Sequence, residues 1–164
     1  MKLHIVLVEP EIPANTGNIS RTCAVTGAAL HLVHPLGFDI SEKQVKRAGL
    51  DYWSDLELYE YQSFEEVKDA YPDGKFYYCT TKGKNTYSDV NYKEQGGDIF
   101  LVFGKETKGL PEPLLKENYD RCIRIPMRKN MRSLNLSNSV AIIAYEVLRQ
   151  FEFSNLEREG VLND

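Results

Sequence analysis

Three short segments hold residues whose types and spacing could do chemistry. Residues 104–110, GKETKGL, follow directly on the apolar run Ile99–Phe103. In that loop Gly104 lets backbone approach a ligand and Gly109 permits a positive-φ turn ahead of Pro111. Glu106 is its only carboxylate, able to accept bonds from an arginine or from backbone amides. Residues 15–21, NTGNISR, open a helix and set Arg21 one turn inside it. With Ile19, Cys23 and Thr26 facing a sheet, Arg21 is left beside the helix start. Residues 133–138, SLNLSN, precede a long pattern in which Leu136, Val140, Ile143, Val147 and Phe151 recur at helical spacing. Asn135 or Ser137 suits the N-cap of that helix, and unpaired N–H groups at a helix start receive polar or anionic ligand groups. Taken singly, these are a strand-end turn, a surface arginine and an ordinary cap.

What raises their weight is the set of elements that must position them. Continuous apolar runs at Leu3–Val8, Lys75–Cys79 and Ile99–Phe103 read as strands covered on both faces, with further strands at 29–34, 56–61 and 122–125. Helical patterns fall between them at 15–26 (closed by Gly27), at 41–49 (a short basic helix capped by Ser41), at 63–70 and at 113–118. Residues 84–97 are polar and irregular. Strands that alternate with helices and are buried throughout predict an α/β fold, a mostly parallel sheet flanked by helices. A ligand site in such a sheet lies beyond the carboxyl ends of its strands. Those ends are 9–17, 80–83, 104–109 and 126–133, the loops that hold nearly all the unusual polar residues.

Composition narrows the field. The 164 residues suit a single domain over 1–164, with a loose acidic tail at 152–164. No apolar run approaches the roughly 20 residues that span a bilayer, and MKLHIVLVEP is a strand with a proline stop rather than a cleavable signal. A cytoplasmic protein without a membrane partner is expected. Three well-separated cysteines among apolar neighbours fit reduced, buried thiols, and three histidines without a metal-binding companion make a metal site unexpected. A Rossmann-type loop, a P-loop, a Ser–His–Asp set and paired carboxylates are all missing from the sequence. A net charge of −4 argues against bulk coating of nucleic acid. Basic residues still cluster at Lys43, Lys46 and Arg47 and at Arg121, Arg124, Arg128, Lys129 and Arg132, which suits a selective polyanion partner.

NTGNISR, FGKETKGL and IRIPMRKNMRSLNLSNSVAIIAYE together resemble the three signature motifs of the SpoU branch of the SPOUT methyltransferases. LVEPEIPANTGN, HPLGF and KRAGLDYW resemble its small tRNA wobble-nucleotide 2′-O-methyltransferase family, so the likeness covers residues 1–151 in order. It implies methyl transfer from S-adenosylmethionine, leaving S-adenosylhomocysteine, to the ribose of a wobble cytidine or uridine, with no metal. It also implies a C-terminal deep trefoil knot, and a homodimer packed through the knot in which each site borrows groups from the other subunit. Carried over, Arg21, Glu106 and Asn135 are catalytic, Glu106 and Asn135 holding Arg21 and the ribose. Cys79, Thr80, Gly104, Ile125, Met127, Ser133 and Leu134 bind the cofactor, Cys79 through its main chain. Asn15, Lys46, Arg47, Arg128, Lys129 and Arg132 meet the tRNA anticodon stem-loop. A ribose methyltransferase on another RNA such as ribosomal RNA, and a non-catalytic knotted RNA-binding dimer, are the alternatives.

Overall fold

Apolar runs too continuous to leave a face in water have to be covered on both sides, and helices cover them here. A computed structural model describes residues 1–41 and 55–163 of the chain. The expected basic helix, with Lys43, Lys46 and Arg47, lies outside the described residues apart from its cap Ser41. The strands are β1 (Leu3–Val8), β2 (Ala29–Val33), β3 (Leu58–Tyr61), β4 (Lys75–Cys79), β5 (Asn85–Thr86), β6 (Ile99–Phe103) and β7 (Cys122–Arg124). They form one sheet in the order β3-β2-β1-β6-β4-β7-β5, and every neighbouring pair is parallel. β5 was not expected; it is two residues long and pairs only with β7, too short to leave a pattern in a polar stretch.

Alternate residues of the central strands feed two cores. Leu3, Ile5, Leu7, Leu101 and Phe103 point to the face covered by α1 (Pro13–Thr26) and α4 (Leu136–Gln150). Val6, Val8, Phe100 and Val102 point to the face covered by α2 (Phe64–Ala70) and α3 (Glu112–Glu117). α4 buries Val140, Ile143, Ala144, Val147 and Leu148, and each large side chain so buried contributes about 1.5–3 kcal/mol relative to exposure. Phe151, Phe153 and Leu156 turn back onto this same core, while Val161 and Leu162 stand clear of it.

From β1 the chain runs out one way to β2 and β3; from β6 it runs the other way, past β4 to β7. The order reverses between β1 and β6, and a crevice opens beyond the carboxyl ends at such a point. No helix among the described residues is long and apolar enough to cross a membrane.

Candidate active site

At the end of β1 the backbone turns at Glu9 (φ 54), and α1 begins at Pro13, two residues earlier than the polar run suggests. Pro13 has no N–H and Ile12, the N-cap residue, has no side chain that can cap. The cap comes instead from the loop after β6. Glu106 Oε1 accepts the Glu11 N–H at 2.9 Å, and Oε2 accepts the Ile12 N–H at 2.6 Å and the Asn15 Nδ2 at 3.4 Å. The clasp is reciprocal. Glu11 Oε1 accepts the Thr107 N–H at 3.1 Å and its hydroxyl at 2.7 Å, and the Thr107 groups hold the Glu11 carboxyl below its ordinary value.

Asn15 extends this network to the third segment. Its Oδ1 accepts from Asn135 Nδ2 at 3.2 Å. Asn135 Oδ1 in turn accepts the Ser137 N–H at 2.9 Å and the Asn138 N–H at 3.4 Å, capping α4. Glu106 thus accepts from the backbone amides of Glu11 and Ile12 and from the Asn15 carboxamide. Asn15, expected among the RNA contacts, is 7% exposed with its carboxamide engaged at both ends. Thr26, expected to face the sheet, is half-buried and donates its hydroxyl to the Thr22 carbonyl.

These loops enclose a cleft of about 660 Å³, within the range of small-molecule sites. Cys79, Thr80, Gly104, Ile125, Met127, Ser133 and Leu134 all line it, with Glu106, Asn135, Asn15 and Arg132. Arg21, Arg128 and Lys129 are exposed and are not part of that lining. Lys46 and Arg47 lie outside the described residues. Gly104 is also required by the turn itself. A Cβ there would lie 2.1 Å from the Gly109 carbonyl carbon, so only glycine lets the turn close on itself. A Cβ on Gly83 would likewise lie 2.5 Å from the Ile123 carbonyl carbon, where the 80–83 turn presses on β7. Burial raises the Cys79 thiol well above its ordinary value. Among the described residues, no His, Cys, Asp and Glu side chains group so as to hold a metal ion.

Of the cations at the cleft, Arg124 stood in the basic cluster read from the sequence, whereas Lys82, Lys105 and Lys108 did not. Lys82 pairs with Glu112, Lys105 lies 3.7 Å from Glu9, and Arg124 donates to the Thr81 carbonyl at 3.1 Å. Lys108 stands on the lip. Glu11 and Thr107 were missed as well. The only hint lay in a second acid in the loop after β1, opposite a threonine next to Glu106, which carries no weight until the two loops are known to touch.

The profile of the SpoU rRNA Methylase family matches residues 2–145. The chain belongs to the SpoU methylase family. A Listeria monocytogenes member provisionally named a tRNA (cytidine(34)-2′-O)-methyltransferase is 55% identical over 159 residues, 97% of this chain and 94% of that relative. A Methylovorus glucosotrophus member named a tRNA (cytidine(34)-2′-O)-methyltransferase is 48% identical, covering 92% of this chain and 96% of its own length. A solved structure, described in connection with 2-OH methylation of C/U34 on tRNA, superposes with a TM-score of 0.86. It is 39% identical and covers 92% of this chain and 97% of its own. The three segments tied together by Asn15 all fall within the family match.

Proposed function

We propose that this chain is an S-adenosylmethionine-dependent methyltransferase that methylates the ribose 2′-hydroxyl of the wobble cytidine or uridine of tRNA, in the cytoplasm. The carrying observation is that all three motif segments meet at one cleft where the strand order reverses, joined by the Glu106–Asn15–Asn135 network. The relatives with that activity in their names match almost the whole chain.

The cleft fits the cofactor's chemistry. Main-chain groups at Cys79, Thr80, Gly104, Ile125, Met127, Ser133 and Leu134 can read a purine edge, and the apolar Leu110 and Ile125 can flank its ring. S-adenosylmethionine, when bound, supplies a methyl group on a sulfonium leaving group. The chain must then hold the ribose hydroxyl in line, take up its developing charge and exclude water. Orienting two bound reactants can remove about 7–11 kcal/mol of barrier. A guanidinium is a permanent cation and a poor proton acceptor. Arg21 therefore orients the hydroxyl and a neighbouring phosphate and stabilises the alkoxide, while that phosphate assists proton loss.

Arg21 is exposed and outside the cleft lining of its own chain, so we assign it to the cleft of a second subunit. Ile142 and Tyr145, 38% and 41% exposed on α4, which packs on α1, supply apolar surface for that homodimer. A deep trefoil knot, formed by the loops near Thr80, Gly104 and 125–133 with the terminal helix passing through, accompanies this reading. The backbone crowding at Gly83 and Gly104 supports it. Arg128, Lys129 and Arg132 bind the anticodon stem-loop in this reading, and the same role is assigned from the sequence to Lys46 and Arg47.

Calorimetric titration with S-adenosylmethionine, followed by transfer of a labelled methyl group to bulk tRNA, tests the proposal. Binding with transfer is expected. Binding without transfer would leave a non-catalytic RNA-binding dimer, and transfer only to ribosomal RNA would change the substrate.

A further inference from the structure

An acidic chain that binds a polyanion must present uncommitted cations where the substrate enters. Most of the positive groups around the cleft are already engaged. Lys82 is paired with Glu112, Lys105 leans toward Glu9, and the Arg124 guanidinium donates to the Thr81 carbonyl. Lys108 is different. It is exposed on the lip, and among the described residues its ammonium has no hydrogen bond and no ion pair within 4.0 Å. Its backbone, by contrast, is held on both sides. The Gly109 N–H donates to the Lys105 carbonyl at 2.8 Å, closing the turn, and Thr107 is fixed by the Glu11 carboxylate. A flexible ammonium on a fixed base at the mouth of the cleft is the arrangement a phosphate contact requires.

We propose that Lys108 is a substrate-binding residue that engages a backbone phosphate of the tRNA beside the nucleotide to be methylated. Arg132 lines the same cleft. The inference rests on the tRNA reading above and adds to it a contact made by the β6 loop. That loop otherwise serves the cofactor and the α1 cap.

The test measures affinity for an anticodon stem-loop RNA as a function of salt, using the intact protein. Single-strand contacts give a slope near −0.7 per phosphate neutralised. Lys108→Ala is expected to flatten the slope by about 0.7 and to weaken binding at low salt about fivefold. Lys108→Arg keeps the slope, and Lys68→Ala, exposed on α2 away from the cleft, is the control for bulk charge. S-adenosylmethionine affinity, read by calorimetry, is expected to be the same in all four proteins. A slope in Lys108→Ala equal to that of Lys68→Ala overturns the inference, as does a loss of cofactor affinity with the RNA slope intact. A wild-type protein that methylates tRNA while Lys108→Ala behaves identically removes this contact alone. A wild-type protein that ignores tRNA removes the parent reading.

Discussion

Glu106 accepts from backbone amides, one of the two kinds of partner that its chemistry allows, but the sequence could not say which amides. As the only carboxylate in its loop it stood out, but its partners are the amides of Glu11 and Ile12, about a hundred positions away in the chain. No local pattern reports such a contact; only the adjacency of β1 and β6 does. Removing the carboxylate (Glu106→Ala) uncaps α1, and a loss of about 1–2 kcal/mol is expected from urea denaturation. Glu106→Gln, which keeps one acceptor oxygen, is expected to recover part of it. A variant as stable as wild type would exclude the capping role. Arg21 is the converse case. Being exposed, it should cost only about 1 kcal/mol of stability or less when changed to alanine. Methyl transfer should nevertheless fall about a hundredfold or more, the scale of removing a group that meets developing charge. Steady-state kinetics beside a urea curve separates the two effects.

The elements were the most legible part of the chain. β1, β4 and β6 fall where their apolar and aromatic runs place them, each bounded by a polar or turn segment. Asn135 caps α4 as its side chain allows, whereas α1 starts early because its cap arrives from another loop. Polar stretches with little to bury, such as the one containing β5, left no trace. The loop after β6 was recognised, yet the reason for Gly104 was not, since the 2.1 Å approach to Gly109 exists only once the turn is closed. Gly104→Ala must therefore open the turn. Overpacking of this kind costs about 1–3 kcal/mol. Cofactor affinity is expected to fall at least tenfold by calorimetry, because the loop lines the cleft. An alanine variant that binds normally would show that the turn is free to relax.

At the scale of the whole molecule, burial has also enclosed two histidines. His4 Nδ1 and His31 Nε2 lie 2.9 Å apart, His31 Nδ1 lies 3.3 Å from the Tyr61 hydroxyl, and His4 stacks on Phe100 at 4.1 Å. Burial lowers both, His31 to about 3, and the Asp98 carboxylate 3.6 Å from His4 does not reverse it. A histidine kept neutral in the fold binds its proton only when the chain unfolds. Stability from this pair is thus complete above the unfolded value near 6.5 and declines as pH falls from there toward 3. His31 alone gives a slope of up to about 1.4 kcal/mol per pH unit. Urea midpoints flat between pH 7.5 and 5 would contradict it. The proposed dimer makes a further prediction. Tyr145→Glu is expected to sediment as a monomer and to lose transfer, since Arg21 would then have no partner cleft. A monomeric and fully active Tyr145→Glu would return Arg21 to its own chain.

The most direct test of the central claim uses the purified protein, labelled S-adenosylmethionine and two tRNAs that differ in one atom. One carries the ordinary wobble ribose and the other carries 2′-deoxyribose at that nucleotide. Label is expected in the first and absent from the second. Equal incorporation into both, or none into either, would contradict methylation of the wobble ribose by this cleft.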